Sequence, residues 1–156
     1  TIHGLDLLGR KVMMQNGKAA MLYATEIQKT IMAAQGSAGL KPLADQLSKA
    51  APQLQEVTAH LLQLATQEKP ETFLADATLY LELFATVTIA WQWLQQAIAA
   101  EKGLADAAGD AVHFYKSKLH TARYFYEYEL PKTLGLRARL LSKERVTLEV
   151  KPEEIV

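Results

Sequence analysis

Leu43, Leu47, Ala50, Leu54, Val57, Leu61 and Leu64 recur in alternating steps of four and three along the stretch that follows Pro42. A repeat of this kind, held for about six turns of helix, keeps one narrow face apolar and is the seam of a left-handed helical bundle. Such a helix gains most of its stability by burying that face against others of its kind. Pro52 falls inside the seam, and its missing N–H and bulky ring predict a kink near Lys49 or two abutting helices.

Three further segments have the composition and periodicity to supply those partners, being rich in Ala, Leu, Gln, Glu and Lys. The first runs from about Lys18 to Gln35, with Ala20, Ala24, Ile27, Ile31 and Ala34 on one face. Another opens with Pro70 and Glu71, residues suited to a first helical turn. Its expected apolar face is Phe73, Ala77, Tyr80, Leu81, Phe84, Thr88, Trp91, Leu94 and Ile98. The last runs from Gly103 to about Leu130 through Leu104, Ala108, Ala111, Val112, Tyr115, Leu119, Ala122 and Tyr126. Gly36, Gly39, Pro42, Pro70, Gly103 and Pro131 punctuate the chain between these segments. The expected fold is all-α: an antiparallel four-helix bundle with a short C-terminal helical turn, Leu134 to Leu141, and an extended tail. The tail's RVTLEV alternates apolar and polar residues at period two. With no sheet to join, it is expected to be an arm packed on the bundle or on another chain.

Composition removes several function classes. Lys plus Arg (17) balance Asp plus Glu (17), whereas a general nucleic-acid binder carries a basic excess. No cysteine is present, which excludes disulfides, thiolate metal sites and Cys nucleophiles and fits a reducing compartment, so the expected location is cytoplasmic. The most apolar stretch, LADATLYLELFATVTIAWQWL, carries Asp76, Glu82 and Gln92 and reads as a buried helix rather than a membrane span.

A four-helix bundle raises the question of a carboxylate-bridged metal pair, which needs inward Glu residues and two Glu-x-x-His pairs. The candidates are Asp110 with His113, Glu56 with His60, Glu82 and Glu26; only Asp110/His113 has the three-residue spacing. No metal site is therefore assigned. Ser37, Ser48, Ser117 and Ser142 lack a nucleophile elbow, and the GSAG at Gly36–Gly39 lies between helices, where a phosphate-binding loop would follow a strand. No catalytic, cofactor-binding or metal residue emerges. Arg137, Arg139, Lys143 and Arg145, interrupted by Glu144, could meet a membrane surface or a phosphate but read better as a solvated face.

The aromatic residues are more informative. Trp91 and Trp93 lie two positions apart, about 200° around a helix, so one narrow stripe cannot hold both. Tyr124, Phe125, Tyr126 and Tyr128 likewise spread around most of a helix circumference. A helix with large rings on all sides is covered twice or exposes an apolar patch of the kind that marks an interface. These six are the candidate interface residues, and the assignment fails if those rings lie inside the single-chain bundle.

Two stretches carry a family resemblance. The opening IHGLDLLGRK resembles the segment of acyl-CoA dehydrogenases that follows their glutamate-glycine-threonine motif, an apolar-Asp-Leu-x-Gly-Arg-Lys sequence. HTARYFYEYELPKTLGL resembles the closing helix of the extra C-terminal domain carried by a longer-chain subgroup, an Ala-Arg-aromatic helix ending in Leu-Pro before a small amphipathic turn. The resemblance implies that residues 1–17 connect from a preceding domain, 18–142 form the bundle and 143–156 the tail. It implies a longer parent flavoprotein that oxidises acyl-CoA to 2,3-enoyl-CoA with FAD. The parent's catalytic glutamate and most of its flavin and CoA contacts would lie before Thr1, with Thr1, Ile2 and His3 near the flavin. This chain alone is then expected to bind no cofactor and to be inert. Its implied partners are the parent's remaining domains and further copies in a homo-oligomer, with acyl-CoA a substrate of the parent only. Two readings stand beside this one: a free-standing bundle that scaffolds partners, and a carboxylate-bridged metalloenzyme.

Overall fold

The computed structural model describes residues 17–67, 71 and 74–155. Residues 1–16 of the expected connecting segment 1–17, Pro70 at the start of the third segment and Phe73 on its face lie outside the described residues. Those described are arranged as helices and turns, with no strand among them. Helix α1 spans Lys18–Gln35, α2 Lys41–Gln67, α3 Ala77–Ala105 and α4 Asp110–Tyr124. A π-helical turn, Phe125–Glu129, and a 3-10 turn, Leu130–Lys132, lead into α5, Thr133–Leu141. A single turn, α6 (Val146–Glu149), and a 3-10 turn at Pro152–Glu154 complete the described chain.

The leucine seam behaves as its spacing dictates: Leu43, Leu47, Ala50, Leu54, Val57, Leu61 and Leu64 are all buried on α2. Helix α2 runs through Pro52 as one element, so the abutting-helix reading is corrected. Pro52 and Ser48, whose carbonyl loses its helical donor to the proline, both lie on the exposed face, where water can take the missing bond.

Helix α3 is the centre of the molecule and packs against α1, α2, α4 and α5. Helix α4 runs against α3, with Tyr115 beside Gly103 and Lys118 near Trp93. Tyr23 bonds to Thr88 and Thr30 to Trp91, so α1 and α3 are parallel; Thr58 meets Tyr80 and Ser37 meets Glu101, so α2 runs against α3. Helix α1 covers one side of the α2–α3 pair. Helix α4 packs on α3, while α5 packs on both α2 and α3.

Because α3 has neighbours all round, its fully buried stripe differs from the one expected. Leu83, Val87, Ala90 and Ala97 are solvent-free at the centre, while Phe84, Trp91 and Ile98 flank them, partly buried. Gly103, expected as a break, lies inside α3. A Cβ there would sit 2.5 Å from Cζ of Tyr115, so the glycine makes room for a ring of α4. The true break falls at Asp106–Gly109, where Gly109 has φ of 60°, a backbone conformation that favours glycine.

Candidate interaction surface

The six candidate rings separate by what covers them. Trp91 donates its indole N–H to Thr30 Oγ1 at 2.8 Å and meets Tyr23 edge-on, with ring centroids 5.7 Å apart. Tyr23 in turn stacks on Phe84 at 5.0 Å and shares a 2.7 Å hydrogen bond with Thr88. Burial pushes the Tyr23 phenol up to about 12. This cluster is the α1–α3 contact, so Trp91 belongs to the inside of the chain.

Trp93 faces the opposite way and is half-buried, with the Lys118 ammonium of α4 5.9 Å from its ring centroid. The two tryptophans are thus absorbed on different sides of one helix. Tyr126 is 1% exposed and donates its hydroxyl to the Ala90 carbonyl at 2.7 Å. Burial without an opposing charge raises its pKa far above the ordinary value. Its place in the interface set is corrected: the ring is core. Phe125 is half-buried and packs against the same core.

Tyr124 and Tyr128 remain outside. They are 51% and 61% exposed and stack on each other, centroids 4.8 Å apart and planes 20° apart. The π-helical turn sets this arrangement. Pro131 cannot donate a backbone bond and its ring would strike the carbonyl four residues back. The widened turn, in which the N–H of Leu130 reaches Phe125, absorbs that conflict. Beside the pair, Lys132 bonds to Glu129 at 2.9 Å, and this contact raises the ammonium pKa.

Three of the basic residues of the C-terminal region, Arg137, Arg139 and Arg145, are spent within the chain. Arg137 donates from Nε and Nη2 to Glu56 Oε2 at 2.9 and 2.6 Å. Arg139 reaches Asp76 Oδ2 at 3.3 Å. Arg145 is 5% exposed, its Nε 3.3 Å from the same Asp76 oxygen but out of line for a hydrogen bond. Its Nη1 donates to the Ser142 and Glu144 carbonyls. The solvated-face reading is therefore corrected for Arg145, which is a buried tie; Lys143 is exposed. The period-two stretch Arg145–Val150 takes the single turn α6 instead of a strand, since no described strand offers it a ladder.

The residues weighed for a metal pair are scattered. Glu56 holds Arg137, Glu26 holds Lys29 at 3.0 Å, and Asp110, His113 and Glu82 are exposed. His60 Nε2 is buried without a partner among the described residues. No three His, Asp or Glu side chains converge among the described residues in a way that could hold a metal ion. No described helix is long and apolar enough to cross a membrane.

One feature went unread in the sequence. A groove of about 860 Å³ lies between the first turns of α1 and the C-terminal half of α2, floored by Tyr80 and Phe84 of α3. Its signal was present in Met21, a large apolar residue off the expected face of α1 that lines the groove and is exposed.

The family model described as acetyl-CoA dehydrogenase C-terminal like matches residues 23–151. The chain belongs to this acyl-CoA dehydrogenase C-terminal domain family. A curated relative, 3-methylmercaptopropionyl-CoA dehydrogenase of Ruegeria pomeroyi, is 32% identical over 140 residues. That alignment covers 89% of this chain and 23% of the relative, so the chain spans about a quarter of the relative's length. The matched region of this acyl-CoA dehydrogenase C-terminal domain runs from Tyr23 to Lys151 and includes the Asp76–Arg139–Arg145 tie.

Proposed function

We propose that this chain is an accessory C-terminal helical domain of an FAD-dependent acyl-CoA dehydrogenase, whose complete form oxidises acyl-CoA to the 2,3-enoyl-CoA. Its own work is interaction: packing against the catalytic body and supporting oligomerisation. The observation that carries this reading is the alignment with a CoA-thioester dehydrogenase of which this region is 23%. The side chains support it, because the ionisable groups weighed for catalysis are spent on structural pairs or scattered over the surface. The exposed Tyr124–Tyr128 stack supplies a polar-rimmed aromatic surface suited to contact between copies.

The test is to express the chain with its natural upstream coding sequence and record flavin absorbance before and after adding acyl-CoA. A yellow protein bleached by the thioester is the expected result. A colourless product overturns the reading and leaves a free-standing interaction module.

A further inference from the structure

We propose that the groove between α1 and α2 is the face on which this domain seats the body of its parent polypeptide, through an apolar, helix-like ridge. The inference rests on the accessory-domain reading and names the surface that serves it.

The groove is apolar and chemically closed. No described residue lining it carries a charge. Its hydroxyls are already spent: Thr25 bonds to the Met21 carbonyl, Thr58 to the Leu54 carbonyl and to Tyr80, and Tyr23 to Thr88. Among the described lining residues the Gln55 amide is the remaining polar side chain, and it is exposed. A small-molecule site is also mostly apolar but places a few free polar groups to orient its ligand. Here one exposed amide would have to do all of that.

Shape decides between the other occupants. The part of α2 that lines the groove, residues 51–62, extends about 17 Å, matching three turns of a packed helix. A second copy related by a two-fold axis would place the same surface against itself. Two concavities facing each other leave a void rather than a packed contact. A convex ridge from a different part of the polypeptide fills it, presenting apolar residues at helical spacing as in helix-in-groove recognition.

Position points the same way. The first turn of α1 forms one wall of the groove. A body covalently attached ahead of α1 is held at a high effective concentration near this domain, and docking needs no independent affinity. The aligned relative has 77% of its length outside this region (100 less the 23% covered), enough to supply such a body. Met21, on the wall, and Leu22 beside it are 71% and 58% exposed and extend the apolar surface outward along the same helix.

The absence of cysteine makes footprinting direct. Ala20→Cys and Ala59→Cys place thiols on the two walls, and Ser117→Cys places one on the exposed face of α4. Each is made in this chain and in the longer protein, whose unsubstituted form corrects for its own thiols, and labelling rates are measured with a maleimide. Both groove thiols should react at least tenfold more slowly in the longer protein, with Ser117→Cys unchanged. Equal groove rates in the two proteins overturn the proposal. So does slowing at Ser117→Cys alone, which would place the parent on α4. Flavin absorbance of the same longer protein, bleached or not by acyl-CoA, separately decides the accessory-domain reading. Hydrogen exchange on the unsubstituted proteins provides the check independent of mutation: residues 19–27 and 51–62 should gain protection in the longer one.

Discussion

Replacing Gly103 by alanine sets two effects of similar size against each other. In the last turn of α3 the change removes part of the conformational cost of glycine, a gain of up to about 1 kcal/mol. The new Cβ, however, would lie 2.5, 2.7 and 2.9 Å from Cζ, Cε1 and Cε2 of Tyr115. Carbon atoms in contact prefer about 3.5–4.0 Å, so either α3 and α4 separate or the ring swings outward. Overpacking of this kind costs about 1–3 kcal/mol. Tyr115 is half-buried, so the ring has somewhere to go, and the expected net result is a loss of up to about 2 kcal/mol. The decisive measurement is a double-mutant cycle by urea unfolding monitored by circular dichroism. In a Tyr115→Ala background the clash is absent, and Gly103→Ala should stabilise by up to about 1 kcal/mol. The two backgrounds should therefore differ by about 1–3 kcal/mol, seen as shifts in midpoint at constant slope. An equal stabilisation in both would refute the close approach of α4 to Gly103.

Three other outcomes follow from the same geometry. Tyr126→Phe removes the buried hydroxyl bond to the Ala90 carbonyl and should cost about 1 kcal/mol with an unchanged denaturant slope. Asp76→Ala leaves the 5% exposed guanidinium of Arg145 without its carboxylate and should cost about 3 kcal/mol or more. Limited proteolysis should then cut within residues 142–155 before the bundle is cut. Alkali should unfold the domain through its buried phenols: Tyr23, Tyr80 and Tyr126 have pKa values raised by burial, Tyr23 to about 12. A raised folded-state pKa means the unfolded chain loses its protons first, near the ordinary value of 10. Stability is therefore full below pH 10 and falls as pH climbs toward 12 and beyond. Tyrosinate absorbance and loss of ellipticity should rise together above pH 10 for these residues, while early tyrosinate formation without unfolding would contradict their burial.

The helical class and the α2 core were legible in the sequence because a period of 3.5 residues leaves one solution for where Leu47, Val57 and Leu61 go. The family was legible too, in the Ala-Arg-aromatic run that ends at Leu130–Pro131, within the matched residues 23–151. The interface candidates were only partly legible. Trp91 and Trp93 do point to opposite sides of a helix, as their spacing requires, but spacing does not say how many neighbours that helix has. Helix α3 has α1 on one side and α4 on another, so both indoles find cover within the chain.

Local chemistry thus determined which segments are helical and which side of each is apolar, since period and propensity act along the chain. Partners across the chain decided the rest. Gly103 reads as a break until Tyr115 is seen against it, and the arginines after Pro131 read as a solvated patch until Asp76 and Glu56 meet them. The groove arises from how α1, α2 and α3 are spaced, a property that no single helix possesses. Whether an apolar or charged side chain is satisfied depends on atoms from distant segments, and only packing brings those together.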